Sequence, residues 1–305
     1  MTTSQLPTLT TDVPTLPPRA PNTHKGQVGR VAVIAGSRGM SGAAVLCGLG
    51  SVRGGAGLVR VFTAQSIQPV VAASEPSYLT FPLHDDADGR IDEPKPRDLL
   101  ETLNLWDVLA IGPGLGRSKS LDGLTVEVYR HFRGPIVVDA DALNSLSGND
   151  PRPWSVRGER ATVLTPHPGE MARMAACLGL PDERVQDDEH RLATAHRVAQ
   201  ATAATVVLKG HRTVVCTRDQ AYINTTGNPG MASGGMGDVL TGLIAALLGQ
   251  GLSAFDAARL GVYVHGLAAD LCADQIGPIG YLAREVADMI PAALAQACRP
   301  RIGFK

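Results

Sequence analysis

A glycine cluster that ends in an acid is the feature of this chain that points most directly to chemistry. The segment 228–242 reads NPGMASGGMGDVLTG and contains Gly234, Gly235, Gly237 and Asp238. Glycines let the backbone adopt positive φ and turn successive N–H groups into one concavity that fits an anion. A predicted helix from about Asp238 through Leu248 adds the positive end of its dipole. This arrangement is typical of sites for phosphoryl chemistry.

Asp238 is unusual in such a place because a carboxylate repels a bound phosphate. A role as general base, which accepts the proton of an attacking hydroxyl, would explain the acid. The alternative is that Asp238 caps the helix, a position that aspartate favours. The two roles can coexist on one residue.

Two acidic motifs follow predicted strands. DADALN at 139–144 brings two carboxylates that could coordinate magnesium through water, or could cap the next helix and hold loops together. TPHPGE at 165–170 supplies His167 from between two prolines, where we expect the imidazole to face a ligand. Glu170 falls in a first helical turn, which the helix dipole favours without any functional role.

Small residues mark two further strand ends. GPGLG at 112–116 predicts a loop kept clear of side chains, either for a ligand to pass over or for a sharp turn. Gly42, Ala43 and Ala44 at a helix start allow either the close approach of a flat ring or tight helix packing.

A basic cluster, KGHRT at 209–213, follows a buried strand and offers Lys209 and Arg212 beside a glycine. These side chains could contact an anion or a nucleotide, and surface charge is the alternative. The glycine turn that leads to Ser41 does not follow the GxxxxGK[ST] pattern, so it is not a Walker-type phosphate loop.

The elements that must position these groups alternate between strands and helices. We predict strands at 31–36, 58–62, 108–112, 135–140, 161–165 and 205–210, and late helices at 239–249, 254–273 and 283–298. Continuous apolar strands separated by helices predict an α/β fold whose parallel sheet is covered on both faces. Ligands of open α/β sheets bind outside the carboxyl ends of the strands, so the polar turns should converge on one crevice.

Length and composition predict one large domain. The 305 residues are 44% hydrophobic, which is enough for a sizeable core. Residues 1–24 are rich in proline and threonine, and we expect them to form a disordered extension of a single domain at 25–300.

Charge and cysteine content argue against several classes of partner and site. The net charge of −1 predicts no binding to nucleic acid or to anionic membranes. Five cysteines without a CxxC pair argue against a disulfide framework and a zinc site. With no apolar run of roughly 20 residues and no secretory signal pattern, we expect a cytoplasmic protein.

The ordered motifs HKGxxG, GSxxMSGAA, GPGLG, DADALN, TPHPGE, KG and NPGMASGGMGDVLTG resemble those of the ADP-dependent NAD(P)H-hydrate dehydratases. The resemblance covers about His24 to Ala297. It implies a ribokinase-like fold, a three-layer α/β/α sandwich with a mostly parallel central sheet. It also implies dehydration of (6S)-NADHX or (6S)-NADPHX to NADH or NADPH. ADP is the implied co-substrate, giving AMP and phosphate, and ATP is the alternative.

The resemblance also implies roles for individual residues. Asp238 would be the base and would contact the hydrated ring. The other contacts to the hydrated dinucleotide would be Ala43, Gly114 and His167. The nucleotide would be bound by Lys209, Gly210, His211, Arg212, Thr213, Gly234, Gly235 and Gly237. Glu170 would hold Mg²⁺ through water.

In the implied reaction the C6 hydroxyl becomes a phosphate ester, and phosphate then leaves. Met236 stands where the family usually has Ser or Thr, so we expect activity with an altered nucleotide preference. The resemblance further implies a homotetramer and a separate epimerase that acts upstream. The alternatives are a ribokinase-like kinase of a small alcohol or vitamin precursor, and a nucleotide-binding regulator without catalysis.

Overall fold

A mostly parallel sheet forms the centre of the fold in the computed structural model, which describes residues 7–148, 152–181 and 187–298. The strands are β1 Thr8–Thr10, β2 Arg30–Ile34, β3 Leu58–Ala64, β4 Leu79–Leu83, β5 Val108–Ile111, β6 Ile136–Val138, β7 Thr162–Leu164, β8 Thr205–Leu208, β9 Val214–Cys216 and β10 Gln220–Ile223. Their spatial order is β1-β10-β9-β8-β7-β6-β5-β2-β3-β4.

The helices connect the strands and then close the fold after β10. They are α1 Ser41–Arg53, α2 Gln68–Ser74, α3 Pro96–Leu103, α4 Lys119–His131, α5 Ala140–Leu146, α6 Pro168–Cys177, α7 Asp188–Thr202, α8 Met236–Gly249, α9 Ala254–Gln275 and α10 Ala283–Ala297. Among the described residues, no helix combines the length and the apolar character needed to cross a membrane.

The path of the chain through the sheet reverses between β2 and β5. β2 pairs in parallel with β3 on one side and with β5 on the other. From β2 the chain runs through β3 to β4, whereas from β5 it runs the opposite way through β6 and β7 to β8. Parallel crossovers are right-handed, so the two directions place α1 and α4 on opposite faces of the sheet. A ligand crevice is expected at this reversal.

Helix α8 lies on the same face as α1, and the two helices cross at very short range. A Cβ atom at Gly242 would lie 2.0 Å from the carbonyl oxygen of Cys47, and one at Gly50 would lie 2.3 Å from that of Val239. Ser51 Oγ donates to the carbonyl oxygens of Cys47 and Gly242 at 3.0 and 3.2 Å. Glycine at these two positions therefore permits the close crossing that sets the position of α8 and of the residues at its start.

The six predicted strands and the parallel sheet are confirmed, but most strands end earlier than predicted. β5, β6 and β8 are buried along their whole length, as their apolar residues require. The residues that follow leave the strand through left-handed backbone, with φ of 131° at Gly112, 49° at Ala140 and 139° at Gly210. The polar groups therefore sit in turns at the carboxyl edge of the sheet.

The amino-terminal segment departs from the expectation of a disordered extension. Thr8–Thr10 adds to the edge of the sheet, parallel to β10, with Thr8 opposite Gln220. Arg19 Nη2 donates to the carbonyl oxygen of Gly55 at 2.6 Å and to Gln250 Oε1 at 2.7 Å. The prediction is wrong for residues 7–24, because three extended residues suffice to pair with an edge strand. Residues 1–6 lie outside the described part of the chain.

Candidate active site

The site is organised around the first turn of α8. This helix begins at Met236, two residues before the predicted start, and no side chain caps it. Of the three glycines expected to adopt positive φ, Gly235 does so in the structure, at 90°, while Gly234 and Gly237 do not. Leu46 and Ala283 pack against Gly235, so a Cβ atom there would clash with Leu46 at 2.5 Å. The N–H groups of Met236, Gly237 and Asp238 have no partner among the described backbone hydrogen bonds, and unpaired N–H groups at a helix start favour an anion.

Asp238 lies in that first turn and is not the cap, whose position Gly235 occupies. Within the described residues, no side chain or backbone group forms a hydrogen bond with the Asp238 carboxylate. Burial, with the charges of Asp139 and Asp141, raises the pKa of Asp238 to about 7, and Lys209 opposes this shift. A carboxylate that is free of partners and has a pKa near neutrality suits a general base.

Asp139 and Lys209 form a buried ion pair next to Asp238. Lys209 Nζ lies 2.6 Å from Asp139 Oδ1, and Thr241 of α8 donates to Oδ2 at 2.7 Å. Asp139 is fully buried, and the Lys209 side chain is 19% exposed. Burial alone would lower the pKa of Lys209, but the carboxylates of Asp139 and Glu170 raise it overall. The pair therefore holds β6, β8 and α8 together around a permanent positive charge.

His167 and Glu170 form a capping box at the start of α6. The backbone N–H of His167 donates to Glu170 Oε2 at 2.8 Å, and His167 Nδ1 accepts from the N–H groups of Gly169 and Glu170 at 2.9 and 3.3 Å. Burial, Lys209 and Arg173 lower the pKa of His167, so the ring is neutral with its proton on Nε2. That nitrogen lies 3.2 Å from Glu170 Oε1. Both carboxylate oxygens of Glu170 therefore contact His167 and stabilise the turn at the start of α6.

A directly coordinated metal does not fit the residues that the structure describes. No group of three or more His, Cys, Asp or Glu side chains in these ranges is arranged to hold a cation. Lys209 Nζ lies 3.9 Å from Glu170 Oε2 and competes for that carboxylate. Mg²⁺ retains several waters and often takes only one or two carboxylates plus substrate phosphates, so a contact from Glu170 through water remains compatible.

A cavity of about 650 Å³ opens beside the start of α8 and is large enough for a nucleotide. All five residues of the KGHRT segment line it, as do Gly237, Met236 and His167. Residues of α9 and of the segment before α8 also line it, among them Val262, His265, Gly266, Asn224, Thr226 and Asn228. The predicted nucleotide residues are therefore gathered in one place, except Gly234 and Gly235, which are not part of the described lining.

The residues predicted for the hydrated dinucleotide are only partly brought together. A Cβ atom at Gly114 would lie 2.7 Å from Cβ of Ala43, so these two residues touch. Ser37 Oγ donates to the carbonyl oxygen of Gly114 at 2.9 Å, which joins the turns after β2 and β5. His167 instead lines the cavity with the KGHRT segment, whereas Ala43 and Gly114 do not.

The DADALN motif acts mainly as a structural tie, one of the two possibilities left open by its sequence. Asp139 holds Lys209. Asp141 Oδ2 accepts from the N–H of Gly116 at 2.8 Å and so fixes the GPGLG loop. Asn144 Oδ1 accepts from Arg173 Nε at 2.7 Å.

Two residues of the site were missed by the sequence analysis. Thr241 could have been found, because it lies three residues after Asp238 and so falls on the same side of a helix. His265 gave no such signal, since a single histidine in an apolar helix has no pattern around it.

Comparison with known proteins places these features in a family. A family model described as NAD(P)H-hydrate dehydratase matches residues 31–292. The ADP-dependent (S)-NAD(P)H-hydrate dehydratase of Neisseria meningitidis is 40% identical over 90% of this chain and 87% of its own length. The bifunctional NAD(P)H-hydrate repair enzyme Nnr of Moorella thermoacetica is 43% identical over 92% of this chain and 52% of its own length. The chain thus spans about half the length of the bifunctional relatives that it matches.

Solved structures give the same result. The crystal structure of an ADP/ATP-dependent NAD(P)H-hydrate dehydratase from Bacillus subtilis, co-crystallised with ATP and Mg²⁺, superposes with a TM-score of 0.75 at 31% identity. That match covers 93% of this chain and 95% of the other. A ribokinase-like superfamily protein from Enterococcus faecalis superposes with a TM-score of 0.78 at 27% identity, covering 93% of both chains. The predicted ribokinase-like fold is confirmed.

Proposed function

This chain belongs to the NAD(P)H-hydrate dehydratase family, and on that premise we propose that it converts (6S)-NADHX and (6S)-NADPHX to NADH and NADPH. ADP is the proposed co-substrate, with AMP and phosphate as products. The name of the Neisseria meningitidis relative supports ADP, and that of the Bacillus subtilis structure supports both ADP and ATP. The observation that carries the proposal is the unpaired carboxylate of Asp238 at the start of α8.

Asp238 begins the reaction by taking the proton of the C6 hydroxyl. The oxygen then attacks the terminal phosphorus of ADP, and AMP leaves. The N–H groups at the start of α8 and the ammonium of Lys209 meet the negative charge that develops on the transferred group. The C6–O bond then breaks with loss of phosphate, driven by the ring nitrogen lone pair. Loss of a proton from C5 restores the double bond.

Lys209 has a fixed position in this scheme. Its ammonium group is held by Asp139 and lies under Gly237, where a Cβ atom would be 3.4 Å from Nζ. The charge therefore faces the same space as the free N–H groups of α8. Because Asp139 already holds the ammonium in place, little reorganisation is needed when charge develops.

Mg²⁺ would neutralise phosphate charge in this reaction, and Glu170 would hold the ion through water. Adjacent residues Ala43 and Gly114 would offer a flat surface to the hydrated ring, because neither has a side chain beyond Cβ. The homotetramer, the cytoplasmic location, the separate epimerase and the assignment of residues 25–300 to one domain stay predictions.

The products distinguish this proposal from the kinase alternative. The protein is incubated with (6S)-NADPHX, Mg²⁺ and ADP or ATP, and the dinucleotide, the nucleotide and phosphate are quantified together. The proposal requires one NADPH, one AMP and one phosphate for each ADP consumed. A phosphorylated dinucleotide that accumulates, or a small alcohol that is phosphorylated instead, would support a kinase.

A further inference from the structure

Arg191 of α7 binds the backbone of the KGHRT segment from outside the cavity. Its Nη2 donates to the carbonyl oxygens of Leu208 and Lys209 at 3.1 and 3.3 Å, and its Nη1 donates to that of His211. Arg191 is half-buried and is not among the residues that line the cavity. One guanidinium therefore holds three carbonyl groups at the turn between β8 and β9.

The backbone of this turn has a conformation that needs such support. Gly210 has a φ of 139° and Arg212 a φ of 53°, both in the left-handed region. That region costs free energy in a residue with a side chain, such as Arg212. A Cβ atom at Gly210 would lie 3.0 Å from Arg191 Nη2, so glycine also leaves room for the guanidinium. α7 holds the turn at a second point, because Arg212 Nε donates to Asp188 Oδ2 at 2.6 Å.

The carbonyl contacts of Arg191 also fix the direction of the N–H groups in the same peptides. The C=O and the N–H of a trans peptide point in opposite directions. Because the carbonyls of Lys209 and His211 point to Arg191, the N–H groups of Gly210 and Arg212 point away from it. Neither N–H group has a hydrogen-bond partner among the described residues. Both residues are exposed and line the cavity, and unpaired N–H groups gathered in a turn favour an anion.

We propose that Arg191 is a positioning residue that directs the N–H groups of Gly210 and Arg212 toward the phosphates of the bound nucleotide. This inference rests on the proposed function, because it takes the occupant of the cavity to be ADP. The ammonium of Lys209 lies beside Gly237, so this turn and the start of α8 border the same part of the cavity. Arg191 itself acts through the backbone and does not contact the nucleotide.

Hydrogen–deuterium exchange of the full-length wild type tests the direction of the N–H groups without any variant. Exchange of the segment 210–213 is measured with Mg²⁺ and either ADP or adenosine. ADP should slow this exchange about tenfold, because its phosphates supply acceptors to the free amides, whereas adenosine has no phosphate and should not. Equal exchange with ADP and with adenosine would overturn the proposal.

Arg191→Lys is the test variant, and Arg160→Lys is its matched control. Arg160 also binds backbone carbonyls, since it donates to those of Arg130, Phe132 and Val156. It lies just before β7, at the edge of the sheet opposite the site. Lysine keeps the charge at both positions but loses the planar fork of donors, so both variants lose contacts to the backbone.

Calorimetric titration, with adenosine measured through its competition with ADP, separates the two roles of these contacts. Arg191→Lys should bind ADP about tenfold more weakly than the wild type, the effect of one net hydrogen bond, and should bind adenosine within about twofold of the wild type. Arg160→Lys should bind both ligands as the wild type does.

Two results of the titration would overturn the proposal and leave the proposed function intact. In the first, Arg191→Lys binds ADP as tightly as Arg160→Lys does. In the second, Arg191→Lys loses affinity equally for ADP and for adenosine, which would mean that the substitution displaces the whole turn. If the wild type does not bind ADP, the proposed function fails as well.

Discussion

The ammonium group of Lys209 lies 2.6 Å from Oδ1 of Asp139, at the point where the ends of β6 and β8 meet the start of α8. Lys209 forms ion pairs with Asp139 and Glu170 and none with Asp238, whose carboxylate has no hydrogen bond among the described residues. The first of these pairs also places a second carboxylate close enough to raise the pKa of Asp238. In the proposed reaction Lys209 would face the transferred phosphate, while Asp238 stays unpaired with a raised pKa.

The dependence of activity on pH should show the raised pKa of Asp238. Because the base must be deprotonated, kcat/KM should fall as pH drops through about 7. Asp139→Asn removes a negative neighbour and releases Lys209, and both changes lower the pKa of Asp238. The acid limb of the profile should therefore move to lower pH in this variant. Asp288→Asn, at an exposed position in α10, is the control and should leave the acid limb in place. If the acid limb of Asp139→Asn did not move either, the assignment of that limb to Asp238 would be contradicted.

The raised pKa of Asp238 should also make the free energy of unfolding depend on pH. The pKa of Asp238 is raised from 3.8 to about 7 on folding, so its stabilising contribution is present below pH 4 and is lost as pH rises through 7. Asp238→Asn cannot ionise and should gain stability over the wild type across that window. At about 1.4 kcal/mol per pKa unit, the difference approaches about 4 kcal/mol near pH 8. Urea unfolding of both proteins at pH 4 and pH 8 measures this difference in the free energy of unfolding. The same difference at both pH values would refute the raised pKa of Asp238.

Gly237→Ala should weaken nucleotide binding without loss of stability. The new methyl group would stand 3.4 Å from Lys209 Nζ, in the space between the ammonium and the helix N-terminus. Alanine is also the better helix former by about 0.5–1 kcal/mol, so the melting temperature should hold or rise. Gly123→Ala in α4, where a Cβ atom meets no neighbour, is the control for helix propensity alone. If Gly237→Ala bound ADP as tightly as Gly123→Ala does, the phosphate site would lie elsewhere.

Gly242→Ala should destabilise the fold and disturb the site through the crossing of α1 and α8. Its Cβ atom would lie 2.0 Å from the backbone oxygen of Cys47, so the helices must separate. Overpacking of this kind costs about 1–3 kcal/mol. Denaturant unfolding against the Gly123→Ala control measures the loss. An unchanged midpoint would show that α8 can shift freely and that the crossing does not hold Asp238 in position.

The sequence predicted the strands that are long apolar runs, but not the short strands whose formation depends on hydrogen bonds to a neighbouring strand. β5, β6 and β8 were recognised because buried parallel strands are continuously apolar. Strands β9 and β10 were missed, because three or four residues carry too little pattern. Strand β1, Thr8–Thr10, was not predicted because its surroundings are rich in proline. Composition does not reveal that a neighbouring edge strand has free N–H and C=O groups with which it can pair.

The site was predicted as a set of residues but not as a geometry. The glycine cluster indicated an anion site because glycine tolerates the required turn, yet the sequence did not show that only Gly235 adopts positive φ. Asp139 and Lys209 are 70 residues apart in the chain, so no local spacing reveals their contact. The different positions of His167 and Ala43 depend likewise on how the strand ends are arranged in space.

The most direct test of the account is the recovery of NADH absorbance from (6S)-NADHX by the wild type and by Asp238→Asn, with Mg²⁺ and ADP. We predict that the wild type restores NADH and that Asp238→Asn loses about 10²–10⁴-fold in kcat, the usual contribution of a general base. Asp288→Asn should match the wild type. Asp238→Asn at full rate would contradict the role of Asp238 as base, and no recovery by the wild type with ADP or ATP would contradict the dehydratase itself.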